Sequence, residues 1–324
     1  ISEMKVGIDI SSVVYGTGVS NYTKDLVTHL RPLLGDSLKT FGFSLRRRQD
    51  DFFPFPPTLM DFLWNRLHII NVETFVGPLD VYHSSDWTQA PSKAKKVTTI
   101  HDLSPFLYPS EVDPKIVTVH TRRMKWVVTE CDKIICVSQN TSQDMQRLFS
   151  DTSDRLVVIP EALPSRFLLE PAPHNLDFYV LAIGSRQPRK NIARLKKACE
   201  LLGQKLIIVG EGSDIGYVSD QQLINYLSGA SAFVYPSLYE GFGLPILEAF
   251  HFKVPVACSN TSSLPEVAGN AAAYFDPLSV ESIAAGIKSA LANRVKLISA
   301  GTKQLSKFNW QDTAKKTLRV YESL

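Results

Sequence analysis

Short apolar runs alternate with stretches of helical period along the whole chain. KVGIDI, LDVYHSS, KVTTIHDL, KIICVS and RLVVIP read as strands in the first half. YVLAIGS, KLIIVG, AFVYPS, VPVACS and AAYFD read as strands in the second. Several are apolar without alternation and rich in Val and Ile, as parallel strands covered on both faces should be. Between them, apolar residues at helical spacing predict helices over 19–30, 114–130, 140–149, 191–202, 220–228, 244–251 and 279–292. Strand–helix alternation in both halves predicts an α/β protein of two doubly wound, Rossmann-like domains.

The pattern breaks after RLVVIP. EALPSRFLLEPAPHNLD completes a run of four prolines from Pro160 to Pro173 and has little periodicity, which is linker composition. The expected domains are therefore 1–165 and 174–308, and NWQDTAKKTLRVYESL closes the chain as a helix with Asn309 or Asp312 as cap. RRRQDDFFPFPP, at 46–57, is expected to be a loop.

Composition agrees with this division. The 324 residues suit two domains of roughly 150 each, and 44% hydrophobic with 21% charged residues is ordinary globular usage. No run approaches the roughly 18 apolar residues of a membrane span. ISEMKVGIDI lacks the basic and apolar regions of a signal peptide, so a cytoplasmic protein is expected. Cys131, Cys136, Cys199 and Cys258 form no C-x-x-C, which favours buried free thiols. A net charge of +3 is too small to imply nucleic acid, while the more basic second half suits an anionic small ligand.

Ligands of open α/β sheets bind beyond the carboxyl ends of the strands. The first strand leads to Gly16-Thr17-Gly18 before a helix, an arrangement that suits a phosphate at the helix N-terminus and equally a tight turn. VTTI ends in His101-Asp102, either a catalytic position or a histidine satisfied by its neighbouring carboxylate. AIGSRQPRKN places Arg186, Arg189 and Lys190 after Gly184 and before a helix. Cations there oppose the helix dipole unless they serve an anion, which favours a diphosphate site over a solvated basic loop. In YEGFGLPILEAF, Pro245 suits a first helical turn and Gly241, Phe242 and Gly243 form the turn before it, with exposed N–H groups. Glu240 and Glu248 flank that turn: either both face one ligand, with acceptors that suit sugar hydroxyls beside N–H groups that suit phosphate, or one caps the turn and the other is an exposed helical glutamate.

Together these segments resemble the retaining glycosyltransferases of family 4, and nearly the whole chain takes part. YPSLYEGFGLPILEAF carries the family's E-x7-E motif as Glu240 and Glu248; SSLPEVAGNAAAYFDPLSVESIAAGI, VTTIHDLSPFLYPS and ICVSQNTSQDM are similarly family-like. The nearest subgroup is bacterial mannosyl- and related transferases of polysaccharide assembly. The resemblance implies a GT-B fold, two such domains facing across a cleft, with the C-terminal helix around Trp310 returning to the first. It implies that His101 and Glu240 lie at the transferred sugar and Glu248 at the ribose. Gly241, Phe242, Gly243 and Leu244 would serve sugar and diphosphate, and Gly16 and Gly18 would approach the diphosphate. The family's Gly-Arg-x4-Lys turn is altered: Lys190 matches, but Ser185 stands at the arginine position, and Arg186 or Arg189 substitutes. A strand and a helix usual after IIVG are lacking, and PEALPSRF replaces the usual P-x-G-V-D-x-R-F.

The implied reaction moves a hexose, mannose favoured, from a nucleotide-diphosphate sugar to a saccharide or lipid-linked acceptor. GDP-mannose is the first donor expected. No Asp-x-Asp is present, so neither a metal nor another cofactor is expected. Phe52, Phe53 and Phe55 with Arg46–Arg48, or Arg122, Arg123, Lys125 and Trp126, would meet a membrane surface at its inner face; packed phenylalanines and solvated arginines explain them equally. A dehydrogenase is disfavoured by the missing G-x-G-x-x-G. A non-catalytic transferase-like subunit is disfavoured because His101, Glu240 and Glu248 are all present.

Overall fold

The computed structural model describes residues 4–46, 51–169, 171, 178–184, 186–213 and 215–324. The chain forms two compact units, Ile1–Glu161 with Trp310–Leu324, and Ala162–Asn309.

The first unit holds a seven-stranded parallel sheet of order β3-β2-β1-β4-β5-β6-β7. Its strands are β1 Val6–Asp9, β2 Leu38–Phe43, β3 Phe52–Phe53, β4 Val81–Ser84, β5 Lys95–Ile100, β6 Lys133–Cys136 and β7 Leu156–Val158. Helices α1 Gly18–Leu34, α2 Pro57–Met60, α3 Glu73–Val76, α4 Ser104–Leu107, α5 Pro114–Glu130 and α6 Gln139–Leu148 connect them. The start of α5 is set locally: Asp113 accepts from the Lys115 N–H, and Pro114 begins the first turn.

The second unit is a five-stranded parallel sheet of order β12-β11-β10-β8-β9. Its strands are β8 Val180–Ile183, β9 Leu206–Val209, β10 Ala232–Tyr235, β11 Val256–Ser259 and β12 Ala272–Phe275. The helices are α7 Ile192–Leu202, α8 Asp220–Gly229, α9 Leu244–His251, α10 Leu264–Ala268, α11 Val280–Ala292 and α12 Arg294–Leu305. Between Val209 and Ser219 the described residues form neither strand nor helix, and Gly210 N–H donates to Gly216 O at 3.0 Å. β9 is therefore the sheet edge. The last helix, α13 Trp310–Glu322, belongs to the first unit, where Thr313 donates to Pro160 O at 2.9 Å.

All ten expected strands are present. Two more, β2 and β3, and the helices α2, α3, α4, α10 and α12 were not among the elements expected. β2 reads LKTFGF, too broken by Lys, Thr and Gly to stand out, and Gly42 lets the Phe52 ring lie flat on the strand. The expected loop at 46–57 is corrected by β3, which adds to the sheet beside β2. Its phenylalanines are core: Phe52 is buried, and Phe53 and Phe55 stack on Phe43 with ring centroids 5.3 and 6.4 Å away. They make no membrane patch, and Arg47 and Arg48 lie outside the described residues. The second expected patch is also dismantled. Arg123 is 2% exposed and donates to Ser85 O and Thr98 Oγ1, while Trp126 donates to Asn65 O and stacks on His68. Buried arginine is tolerated there because its guanidinium has acceptors.

All four cysteines are free and buried. No helix among the described residues is long and apolar enough to cross a membrane.

Candidate active site

The order of the second sheet reverses between β8 and β10, the position at which a doubly wound sheet opens a crevice. After β8 the chain makes a short 3₁₀ turn, Pro188–Lys190, ending at Asn191 with φ 57°. A left-handed backbone suits asparagine. Its side chain also donates to Pro236 O at 3.0 Å and Pro277 O at 2.7 Å, which ties the turn to the loops after β10 and β12. Arg189 and Lys190 are thereby directed at the segment that follows β10.

There they meet Glu240. Lys190 Nζ is 2.6 Å from Glu240 Oε1, and an Arg189 guanidinium nitrogen is 3.7 Å from Oε2. Burial pushes the Glu240 carboxyl up, but the Lys190 and Arg189 charges and the Lys190 hydrogen bond outweigh it, and its pKa is lowered. Two serines hold the backbone of this turn. Glu240 N–H donates to Ser262 Oγ at 3.0 Å, Ser262 Oγ donates to Glu240 O at 2.6 Å, and Ser263 Oγ donates to Phe242 O at 2.6 Å. Ser262 does so in a left-handed conformation, φ 58°. Neither serine was assigned a role from sequence, although SSLPEV, quoted for its resemblance, begins with them.

Gly241, Phe242 and Gly243 are buried, which corrects the expectation of an exposed turn; the Phe242 ring packs edge-on against Phe308 at 5.7 Å. Leu244, half-buried, begins α9. Glu248 lies inside α9, 4% exposed, and its carboxyl has no hydrogen-bond partner among the described residues. Burial raises its pKa to about 7, with Arg166 pulling down and Asp220 pushing up. Arg186 is not part of the cluster. It is exposed and lies across Gly212, its Nε 3.5 Å from Gly212 O. Ser185 is outside the described residues.

In the first unit the sheet order reverses between β1 and β4. A cavity of about 20 Å³ at these strand ends is lined by Asp9, Tyr22, Ser84, Asp86, Thr99 and His101, among others. His101 does not pair with Asp102, whose carboxylate accepts instead from Ser104 N–H and Oγ at 2.8 and 2.7 Å. Its Nδ1 is 2.7 Å from Glu161 Oε1. Burial lowers the His101 pKa, but the Glu161 hydrogen bond and charge, with Asp86 and Asp102, more than offset it, and the pKa is raised. Asp9 is buried and pushed up to about 6 by burial, against hydrogen bonds from Ser11. Sequence reading singled out neither Glu161 nor Asp9. Gly16 has φ 67°, and open space surrounds the Cβ side of Gly16 and Gly18. Thr17 caps α1 in a reciprocal capping box with Ser20.

Residues 16–164 match the model of Glycosyltransferase Family 4, and residues 215–304 that of Glycosyl transferases group 1. O-antigen chain mannosyltransferase B of Escherichia coli is 32% identical over 283 residues, which are 75% of this chain and 74% of that protein. The chain belongs to glycosyltransferase family 4. The family-4 chain is also 27% identical over 264 residues to the serotype-specific mannosyltransferase WbdA of Escherichia coli, covering 68% of this chain and 32% of that longer one. Its fold matches sucrose-phosphate synthase from Thermosynechococcus elongatus with a TM-score of 0.75 at 18% identity, over 99% of this chain and 98% of that one. Both parallel-sheet units of this glycosyltransferase are thus those of the GT-B architecture. Among its described residues no group of three or more His, Cys, Asp or Glu side chains is placed to hold a metal ion.

Proposed function

We propose that this glycosyltransferase transfers mannose, with retention of anomeric configuration, from GDP-mannose to a hydroxyl of a saccharide or lipid-linked acceptor. The observation that carries the reading is the cluster of Arg189, Lys190 and Glu240 at the reversal of the second sheet. It combines two cations suited to a diphosphate with a carboxylate suited to sugar hydroxyls. The likeness to O-antigen mannosyltransferases supports mannose as the sugar.

In this reading the bond to the anomeric carbon loosens and negative charge grows on the departing diphosphate. Lys190 and Arg189 stabilise that charge in a site already shielded from water, where fixed cations act most strongly, and no metal is required. Lys190 then exchanges some of its contact with Glu240 for phosphate oxygen, and Glu240 turns to the sugar. Glu248 holds the ribose hydroxyls, Gly16 and Gly18 admit the diphosphate, and His101 supports the sugar near the reacting carbon. The acceptor attacks from the face of departure, and a diphosphate oxygen takes its proton.

Contact with a lipid surface belongs to the same proposal. Its support is a row of exposed apolar side chains, Leu59, Phe62, Leu67, Ile69 and Ile70, with Arg66 over the Phe62 ring at 5.7 Å. A thermal-shift panel of nucleotide-sugars, followed by transfer assays with and without chelator, tests the donor. GDP-mannose should raise the unfolding temperature most, since stabilisation follows occupancy. A larger shift with a UDP-sugar, or loss of transfer in chelator, would overturn that part of the reading.

A further inference from the structure

The carboxylate of Glu161 lies 60 residues from His101 in sequence and 2.7 Å from it in space. Both side chains are shielded, 15% exposed for His101 and 7% for Glu161. We propose that Glu161 is the positioning residue of His101: it accepts from Nδ1–H, fixes the ring, and leaves Nε2 as the nitrogen presented to the sugar. This rests on the reading that His101 serves the transferred sugar.

Three features make the contact a built one. Glu161 is anchored through its chain neighbours: Ile159 N–H donates to Cys136 O at 3.0 Å, and Thr313 of α13 donates to Pro160 O at 2.9 Å. The His101 ring is confined by the edge of Tyr22, at 4.6 Å and 81°, and Tyr22 is itself backed by Trp310 at 5.6 Å. The alternative partner in sequence, Asp102, is engaged with Ser104. Nε2 makes no hydrogen bond among the described residues.

The charged and titratable groups facing His101 are Glu161, Asp86, Asp102 and His83, with the Tyr22 ring against it. The three carboxylates favour the imidazolium. His83 is held neutral, its pKa lowered to about 3 by burial. Only Glu161 among the three carboxylates is hydrogen-bonded to the ring. It therefore sets orientation as well as charge.

The test is Glu161→Gln, which keeps an acceptor oxygen and removes the charge, beside Glu161→Ala and His101→Ala. Glu161→Gln should lower kcat about ten- to a hundredfold, the range for a partner that orients a functional histidine, with donor KM little changed. The pH–rate limb belonging to His101 and the NMR titration of its imidazole should both move to lower pH. The NMR titration needs no turnover, so it decides the matter even in a variant of low activity. An unchanged profile and titration in Glu161→Gln, with activity lost in His101→Ala, overturns the role of Glu161 alone. Full transfer by His101→Ala overturns the role of His101, and this proposal with it.

Discussion

Lys190 Nζ and Glu240 Oε1 form a 2.6 Å ion pair in which both side chains are largely buried. Breaking such a pair from one side leaves a charge without its counter-ion, which typically costs about 3–5 kcal/mol. Lys190→Met should fall at the low end, because Arg189 remains near Glu240. Adding Glu240→Gln should recover part of the loss in denaturant midpoints, limited because Arg189 then loses the same counter-ion. The Glu240 pKa is depressed, so the pair's contribution is present above the normal carboxylate range and disappears as pH falls through the folded-state value. A double variant as unstable as the single one would show that the pair is not the source.

Glu240→Ala should abolish sugar transfer while the protein stays folded, a loss of at least about 10²–10³ in kcat if the carboxylate acts on the transition state. The relevant comparison is single-turnover transfer against donor affinity measured by calorimetry. Wild-type turnover would remove Glu240 from the reaction.

Glu248 should destabilise the ligand-free protein at neutral pH. Its folded pKa, about 7, exceeds the ordinary 4.5, so the native state holds a proton that the unfolded chain releases. Stability is lost as pH rises from about 4.5 to about 7 and stays lost above. Glu248→Gln should therefore be more stable than the wild type by on the order of 3 kcal/mol at pH 8, with no advantage at pH 4. Thermal melts at both pH values check this. The same substitution should weaken donor binding, because the amide replaces one hydroxyl-accepting oxygen with a donor.

Much of this was legible in the sequence, for definable reasons. Covered parallel strands leave continuous apolar runs, so β1 and β4–β12 stand out, whereas β2 mixes Lys, Thr and Gly and β3 is two residues long. Arg189, Lys190 and Glu240 follow strand ends, where chemistry is sought first, and the structure brings them together. Glu161 was hidden because it stands among prolines and no local spacing links it to His101. Arg123 and the phenylalanines of 52–55 were misleading for the opposite reason. Charge and aromaticity in a short window suggest a surface, but a guanidinium with buried acceptors and a ring stack with Phe43 belong to the core.

Tyr321 ties α13 to the first sheet through His83, with its hydroxyl 2.6 Å from Nδ1, while Nε2 lies 3.0 Å from Thr99 Oγ1. Tyr321→Phe leaves a buried ring nitrogen unsatisfied and should cost about 1–3 kcal/mol. Tyr321→Phe with a wild-type melting temperature would mean that the hydroxyl contributes nothing net.

Leu59 lies in α2, Phe62 and Arg66 in the wider helical turn Asp61–Arg66 that continues it, and Ile69 and Ile70 in the non-helical segment beyond, and the apolar side chains among them are exposed to solvent. The backbone reinforces this: Ile70 has φ 66°, a conformation that disfavours β-branched residues, while its carbonyl accepts from Trp64 Nε1 at 2.9 Å. A triple variant, Phe62→Ser, Ile69→Ser and Ile70→Asn, removes exposed apolar surface without touching the core, and asparagine suits the left-handed backbone. Each side chain that enters lipid is worth up to about 1.5–3 kcal/mol, so binding to anionic vesicles should fall more than tenfold while the melting temperature holds or rises. Arg66→Ser should instead reduce the salt dependence of binding, since it removes a screened charge. Equal co-sedimentation of wild type and triple variant would rule out this row as the lipid contact, and no sedimentation of either would point to a protein partner at this face.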